Sequence, residues 1–157
     1  DLFINNAGVW NKKLLTQATV KEFDWMISTN LAAVFYSFKE LLPRMKKQGG
    51  GQIINISSGA GRVPFPGLSI YCATKSALNM LTAVASLESR NDRIKISVLS
   101  PGPVDTSVRK SKTQPVGQVT ADQVAEAAVA LARQDHDAYS WMVDVRPLES
   151  KTVIPFV

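Results

Sequence analysis

Cysteine and histidine are almost missing from this sequence, and long hydrophobic runs are missing altogether. The single cysteine, Cys72, excludes an internal disulfide and a zinc site built on cysteines. The single histidine, His136, stands among polar residues, which disfavours a metal site or a catalytic triad. The longest nearly uncharged stretch, residues 26–38, is shorter than a membrane-spanning helix requires. We therefore predict no metal site and no membrane span.

A secretion signal is also missing from the start of the chain, where no basic segment leads into an apolar one. A single cysteine fits a reducing compartment. We therefore expect a cytoplasmic protein. With 157 residues, of which 45% are hydrophobic and 20% charged, the composition is that of one ordinary globular domain with a core of its own.

The net charge of +5 raises the hypothesis of a basic protein that binds nucleic acid. The basic residues are scattered in small groups, without an aromatic-interleaved stripe or a helix-turn-helix pattern. Solvated surface explains them better, so we expect no nucleic-acid partner. A salt-dependent binding titration would test this third-ranked hypothesis.

Short apolar runs alternate with longer amphipathic stretches along the chain. Capping boxes at Thr19/Glu22 and Thr120/Gln123 mark two helix starts. This alternation predicts an α/β fold with a parallel sheet and helical crossovers. The predicted strands are residues 2–4, which we expect to be buried, 52–57, 94–99 and 141–145, and the predicted helices are residues 19–47, 70–88 and 120–133.

Three unusual loops follow three of the predicted strands. They are residues 5–8, 57–61 and 101–106. In open parallel sheets, ligands bind in the crevice outside the carboxyl ends of the strands. The sequence therefore predicts that these loops meet at one binding crevice.

Tyr71 and Lys75 lie four residues apart in a predicted helix and therefore share one face. A nearby ammonium favours the phenolate, so we expect Lys75 to lower the pKa of Tyr71 from its usual value near 10. The pair is a candidate proton donor and acceptor. The alternative is a half-exposed helix pair without chemistry. Cys72, beside the tyrosine, is interpreted as inert packing.

Five motifs in register resemble those of the short-chain dehydrogenase/reductase family. They are Asn5-Asn6-Ala7-Gly8, Asn30, Ser58, Tyr71-x-x-x-Lys75 and Pro101-Gly102-Pro103-Val104-Asp105-Thr106, with Ser58 preceding Tyr71 by 13 residues. The resemblance extends over nearly the whole chain and implies a partial Rossmann-type, doubly wound parallel sheet comprising strands 4 to 7 of the family order. It also implies an NAD(P)-dependent oxidoreductase that interconverts a ketone and a secondary alcohol by hydride transfer.

The resemblance assigns catalytic roles to four residues. Tyr71 would be the general acid/base, and Lys75 would lower its pKa and bind the nicotinamide ribose. Ser58 would hydrogen-bond the substrate oxygen, while Ser57 is the structural serine because neighbours on a strand face opposite sides. Asn30 would hold a helix irregularity and a water that relays protons from Lys75 to solvent.

The resemblance also assigns the cofactor contacts. NAD or NADP, with a slight preference for NADP, would lie along the loops after the first and third predicted strands, with Val104 and Thr106 meeting the carboxamide. The cofactor-binding residues are Asn6, Ala7, Gly8, Tyr71, Lys75, Pro101, Gly102, Val104 and Thr106.

The glycine-rich phosphate loop expected of this family does not occur in the sequence. The run 49–51 precedes a strand and follows a helix, which is the reverse of what phosphate binding requires. We therefore expect residues 1–157 to be one partial domain, the catalytic half, from which roughly 80 to 90 family residues are missing. An apolar sheet edge should remain beside residues 2–4. Residues 107–119 are the expected substrate loop.

The expected substrate is a small carbonyl compound or alcohol, and residues Val63, Phe65 and Leu68 suggest an apolar pocket wall. We expect the intact protein to be a homodimer or homotetramer that associates through the helices near 20–47 and 70–88. The alternative hypothesis is a catalytically inactive truncated remnant or split-gene fragment that acts only through oligomer contacts.

Overall fold

Four parallel strands form the main sheet of the structure, a computed structural model that describes residues 1–105, 117–135 and 140–148. In sheet order they are β1 (Leu2–Asn5), β2 (Gly51–Ile56), β3 (Ile94–Pro101) and β6 (Met142–Val145). Every pairing is parallel; for example, Ile54 of β2 lies opposite Ser97 of β3. The predicted parallel sheet is confirmed, and its carboxyl ends form a single edge.

Four α-helices connect or flank these strands. They are α1 (Val20–Ile27), α2 (Ala33–Lys47), α3 (Ser69–Glu88) and α4 (Ala121–Ala132). A π-helical turn, Ser28–Ala32, joins α1 to α2, and single 3₁₀ turns occur at Leu15–Gln17, Gly59–Gly61 and Arg90–Asp92. None of the helices in the described ranges combines the length and hydrophobicity needed to cross a membrane.

Both predicted capping boxes are present. The Thr19 hydroxyl accepts the backbone N–H of Glu22 at 3.2 Å, and the Glu22 carboxylate accepts the backbone N–H of Thr19 at 2.9 Å. Thr120 and Gln123 make the same reciprocal pair at 3.1 and 2.9 Å. Two otherwise unpaired donors are thus satisfied at the start of α1 and of α4.

Helices cover both faces of the sheet. On one face, α2 and α3 bury Phe38 and Leu78 against Ile53 and Ile96. On the other face, α4 packs Leu131 against Ile54 and Leu99. Because successive residues of a strand face opposite sides, neighbours such as Ile53 and Ile54 enter different cores. The predicted doubly wound arrangement is therefore confirmed.

The prediction that the first strand is buried is wrong. Residues 2–4 do form a strand, but Leu2, Phe3 and Ile4 are 47%, 39% and 42% exposed. In the described sheet β1 is the edge strand and pairs only with β2. An apolar strand at an edge lacks the flanking strand that would bury it, so the expected apolar edge is present.

A second, two-stranded sheet was not predicted; it pairs β4 (Val104–Asp105) with β5 (Val119–Thr120) in parallel. The third strand of the main sheet also continues through Pro101, two residues beyond its predicted end. Three predicted features lie outside the described residues: Thr106, positions 107–116 of the substrate loop, and His136.

The capping box of α4 gives a test of the local stability of the fold. Replacing Thr120 by Ala removes the acceptor for the Gln123 N–H, so we expect the free energy of unfolding to fall by about 1 kcal/mol. Thr120→Ser keeps the hydroxyl and should retain most of this stability. Urea unfolding followed by circular dichroism measures both variants, and equal losses in the two would contradict the capping role.

Candidate active site

Tyr71 and Lys75 lie one turn apart on α3, near the carboxyl end of β2. The Lys75 side chain is almost fully buried, and its ammonium nitrogen, Nζ, donates to the carbonyl oxygen of Ile56, the last residue of β2, at 2.9 Å. The same nitrogen lies 5.8 Å from the centre of the Tyr71 ring. Lys75 therefore connects α3 to β2, the strand that leads into Ser58.

Burial lowers the pKa of Lys75 from 10.5 to about 8. The physical cause is desolvation, which penalises the charged ammonium more than the neutral amine. One carbonyl oxygen replaces only part of the water that the ammonium has lost. The lysine is therefore mostly charged at pH 7 and can release its proton about one pH unit higher.

Burial also raises the pKa of Tyr71 above 10, because the phenolate is penalised more than the neutral phenol. A hydrogen bond with the Ser58 side chain opposes the rise, and the Cys72 thiol adds to it. The expectation that Lys75 brings this pKa below 10 is wrong. The ammonium binds the Ile56 carbonyl instead, so it does not offset the desolvation of the phenol.

Asn30 lies in the π-helical turn between α1 and α2, where the resemblance implied a helix irregularity, and it is 1% exposed. Its side-chain oxygen accepts the backbone N–H of Val9, and its side-chain nitrogen donates to the Val9 carbonyl, both at 2.8 Å. The same nitrogen donates to the Thr74 hydroxyl at 3.1 Å. Asn30 thus connects the loop after β1 to α3.

Gly8 lies where that loop approaches the lysine. A Cβ atom at this position would lie 3.6 Å from Lys75 Nζ and 3.8 Å from the side-chain oxygen of Asn30. Asn6, Ala7 and Gly8 are all exposed. The absence of a side chain at position 8 therefore leaves space directly beside the lysine, which is what the close approach of a ligand requires.

Ser57 and Ser58 have the different environments that strand alternation predicted. Ser57 is buried and donates to the side-chain oxygen of Asn79 at 2.6 Å. Ser58 is half-buried and begins the 3₁₀ turn Gly59–Gly61, accepting the backbone N–H of Ala60 at 3.2 Å. Ser57 is structural, and Ser58 faces the side of the turn on which Tyr71 lies.

The loop after β3 is attached to the last strand. The Gly102 N–H donates to the carbonyl of Val145 at 2.8 Å, and the Pro103 carbonyl accepts the N–H of Val119 at 2.9 Å. Val104 then pairs with Val119 in the small sheet. Pro101, Gly102 and Val104 are thus held at the same edge of the main sheet as the other two loops, while Thr106 lies outside the described residues.

The structure brings most of the predicted site residues to the carboxyl edge of the sheet, as the order of motifs indicated. It also adds residues that the sequence analysis did not select. Thr74 is fully buried, receives the Asn30 amide and donates to the Tyr71 carbonyl at 2.8 Å. Its only sequence signal is a polar residue at a core-facing helix position.

The sequence analysis also did not select a chain of hydrogen-bonded polar side chains that lies between the elements carrying the site. Asn5 donates to Ser37 at 3.0 Å and to Asn55 at 2.7 Å, and Asn55 donates to Thr82 at 2.9 Å. These bonds link α2, β1, β2 and α3. The fixed partners of each amide hold the strand ends in register beneath the loops.

Residues 1–117 match the family model described as short chain dehydrogenase. The chain is 34% identical over 139 residues to an uncharacterised oxidoreductase of Staphylococcus saprophyticus, covering 84% of this chain and 56% of that protein. It is 30% identical over 151 residues to 2-(R)-hydroxypropyl-CoM dehydrogenase of Xanthobacter autotrophicus, covering 86% and 60%.

Among solved structures, the chain is similar to an alcohol dehydrogenase from the archaeon Thermococcus sibiricus complexed with 5-hydroxy-NADP. The TM-score is 0.86 with 27% sequence identity, and the match covers 98% of this chain and 65% of that one. The chain therefore spans less than two thirds of the length of each of these relatives.

The buried lysine predicts a pH-dependent stability. Between pH 8 and 10 the unfolded chain holds a proton on residue 75 that the folded chain has released, so this group makes stability rise with pH. In this range Lys75 raises the free energy of unfolding by up to about 1.4 kcal/mol per pH unit. Above pH 10 the raised pKa of Tyr71 acts in the opposite direction.

We expect the difference in unfolding free energy between the wild type and Lys75→Met to increase from pH 7 to 9.5 in favour of the wild type. Urea unfolding across this range measures the difference. Lys47→Met, which removes a lysine from the exposed end of α2, is the control and should show no such slope. A pH-independent difference for Lys75→Met would contradict the assignment.

Proposed function

Because the chain belongs to the short-chain dehydrogenase family, we propose that it forms the catalytic part of an NAD(P)-dependent oxidoreductase that interconverts a ketone and a secondary alcohol. The observation that carries this proposal is that Ser58, Tyr71, Lys75 and Asn30 lie at one edge of the sheet. Lys75 is held there by the Ile56 carbonyl, and Asn30 by Val9 and by Thr74, which in turn donates to the Tyr71 carbonyl. An isolated tyrosine–lysine pair on a helix would not need these connections.

Tyr71 is proposed as the general acid in the direction of carbonyl reduction. Its raised pKa keeps the phenol protonated at neutral pH, so a proton is available for the oxygen that becomes the alcohol. Ser58 donates a hydrogen bond to the same oxygen and stabilises its developing charge. In the oxidation direction Tyr71 accepts the alcohol proton, and a phenolate becomes accessible only if charge or ligand near the ring lowers its pKa.

Lys75 and Asn30 are proposed to replace the proton on Tyr71. A lysine with a pKa of about 8 exchanges its proton readily near neutral pH. The position beside Gly8 adjoins both the lysine nitrogen and the Asn30 side-chain oxygen. A water or a ligand hydroxyl is proposed to bind there. Thr74 does not carry the proton in this scheme; it holds Asn30 and the Tyr71 turn together.

The residues fit a nicotinamide cofactor, which supplies or accepts the hydride when bound. Exposed main chain at Asn6, Ala7 and Gly8 is proposed to contact it on one side, and Pro101, Gly102, Val104 and Thr106 on the other. NADP is preferred over NAD, because the similar Thermococcus structure contains an NADP derivative. Lys75 is proposed to bind hydroxyl groups of the ribose through the opening left by Gly8.

The chain is proposed to form one partial domain, with residues 107–119 as the substrate loop. Val63, Phe65 and Leu68, all half-buried between Ser58 and Tyr71, are proposed to form an apolar wall for the substrate. The 2-(R)-hydroxypropyl-CoM dehydrogenase and the alcohol dehydrogenase among the relatives are named for alcohol substrates, which supports the same reaction class here.

Replacing Tyr71 by Phe tests the proposed reaction directly. Loss of the hydroxyl should reduce kcat by about 10²- to 10⁴-fold, because general acid/base catalysis contributes on this scale. The circular dichroism spectrum should be unchanged, since the ring remains. Consumption of NADPH with a panel of small ketones measures the rate, in the longest form of the protein that expresses.

Tyr36→Phe is the matched control, because Tyr36 is 64% exposed on α2 and takes no part in the hydrogen bonds described for the site. Its rate should equal that of the wild type. Equal rates for Tyr71→Phe and the wild type would overturn the catalytic role. If the folded wild type has no turnover while retaining its oligomeric state, the alternative of an inactive protein with oligomer contacts is favoured.

An apolar groove between the first two helices and α3 supports the proposed homodimer or homotetramer. The groove encloses about 390 Å³ and is lined by Ile27, Leu31, Ala32, Phe35, Ala77 and Leu81. Beside it, Met80, Val84 and Leu87 are 67%, 44% and 63% exposed on α3. Contiguous apolar surface of this kind is characteristic of subunit contacts.

A charge introduced into this surface should weaken association. We expect Phe35→Glu to shift the protein towards the monomer, because a carboxylate buried at a contact loses its hydration. Light scattering after size exclusion measures the mass. Ala125→Glu, which places the same carboxylate at an exposed position of α4, outside the proposed contact, is the control. An unchanged mass for Phe35→Glu would place the subunit contact elsewhere.

A further inference from the structure

The 3₁₀ turn that begins at Ser58 ends at Arg62. The Gly61 N–H donates to the Ser58 carbonyl at 2.9 Å, and the Arg62 N–H donates to the Gly59 carbonyl at 3.1 Å. Only the Ala60 N–H, at 3.2 Å, holds the Ser58 hydroxyl within the turn. The direction of that hydroxyl therefore depends on how the whole turn is fixed to the rest of the protein.

On one side the turn is fixed to α3. The Gly61 carbonyl accepts the Ser76 hydroxyl at 2.9 Å and the Asn79 amide at 3.4 Å. A Cβ atom at Gly61 would lie 2.6 Å from the Asn79 nitrogen and 2.9 Å from the Lys75 carbonyl, so the contact has no spare room. This side is set by close backbone packing.

On the other side the turn is fixed to β6. The Nη2 nitrogen of Arg62 contacts both carboxylate oxygens of Asp144, and Nη2 of Arg146 lies 3.6 Å from the same carboxylate. The side chains of Arg62 and Asp144 are 30% and 29% exposed. The contact joins residues 82 positions apart, so it connects two separate parts of the fold.

The same end of β6 also holds the loop after β3, through the Val145 carbonyl and the Gly102 N–H. Pro147 lies against that loop, because a Cβ atom at Gly102 would be 3.4 Å from its ring. One short strand therefore contacts two loops on which Ser58 and the proposed cofactor residues lie.

We propose that Asp144 is a positioning residue, which acts through Arg62 to hold the Ser58 turn in its working orientation relative to Tyr71. This role rests on the proposed function for its effect on catalysis, although the geometry that it maintains can be measured without turnover. The two contacts with α3 hold one side of the turn. The ion pair supplies the second attachment that fixes its angle.

Exposed ion pairs contribute little to stability, so the expected effect is on geometry rather than on folding. Removing the Asp144 charge should loosen the Ser58 turn and weaken its hydrogen bond with Tyr71. That hydrogen bond opposes the rise of the Tyr71 pKa. Its weakening should therefore move the ionisation of Tyr71 to higher pH.

The experiment follows the ring carbon of Tyr71 that bears the hydroxyl by NMR during a pH titration of ¹³C-tyrosine protein. The sequence has three tyrosines, and Tyr71→Phe assigns the signal. Asp144→Asn should shift the Tyr71 titration upward in pH, in the same direction as Ser58→Ala. The double variant should shift no further than Ser58→Ala alone, because both changes remove the same hydrogen bond.

Asp92→Asn is the matched control. Asp92 is 27% exposed and is paired with Lys46 at 2.9 Å, at the start of β3 and away from the loops. The Asp92→Asn variant loses a comparable ion pair and should leave the Tyr71 titration unchanged. If Asp144→Asn does not fold, Arg62→Gln removes the other partner and should give the same shift, with a smaller one for Arg62→Lys.

An unchanged Tyr71 titration in folded Asp144→Asn and Arg62→Gln would overturn the proposal, as would a shift that adds fully to that of Ser58→Ala. Where turnover is measurable, Asp144→Asn should lower kcat about tenfold, since misplacing a catalytic group is costly, while the KM for the cofactor stays constant. A titration shift in a protein without turnover would retain the positioning role and favour the inactive alternative over the proposed oxidoreductase.

Discussion

The buried contact between Lys75 and the Ile56 carbonyl is the interaction on which the rest of the site depends. It fixes α3 to the end of β2 at the point where the chain turns into Ser58. Neighbouring polar bonds, from Ser57 to Asn79 and from Asn55 to Thr82, tie the same strand and helix together over two more turns. Each bond satisfies a group that would be costly to bury alone, so displacing the helix along the strand would break all three.

The π-helical turn between α1 and α2 is the second constraint. It interrupts the regular helix and so allows Asn30 to hold two other parts of the chain together. A wider turn at Ser28–Ala32 places Asn30 where its amide can hold both backbone groups of Val9 and also reach Thr74. An amide is suited to this position because it offers an acceptor and two donors, and here it uses all three. The loop after β1 is consequently held to α3, with Gly8 next to the lysine nitrogen.

Much of this architecture follows from local sequence signals. The features that were predicted wrongly or not at all have a common cause, which is that they depend on distant parts of the chain. Capping boxes at Thr19 and Thr120 and alternation at Ser57 and Ser58 depend on residues within a few positions, so they were predicted correctly. The burial of β1 depends on which strand lies beside it, and the two-residue strands at Val104 and Val119 are too short to show a period. The pKa of Tyr71 depends on where the Lys75 nitrogen points and how deeply the ring is buried, and neither can be read from a spacing of four residues.

The opposite directions of the two pKa shifts have one physical origin. Desolvation disfavours charge of either sign, so it raises the pKa of an acid such as Tyr71 and lowers that of a base such as Lys75. Between pH 8 and 10 the pair is consequently neutral on both members, and below pH 8 it carries one positive charge on the lysine. A proton is thus always present on the phenol at neutral pH, with a second one held on a neighbour that releases it easily. In the reaction that we propose, this order of protonation suits the donation of a proton to a newly formed alkoxide better than the removal of one from an alcohol.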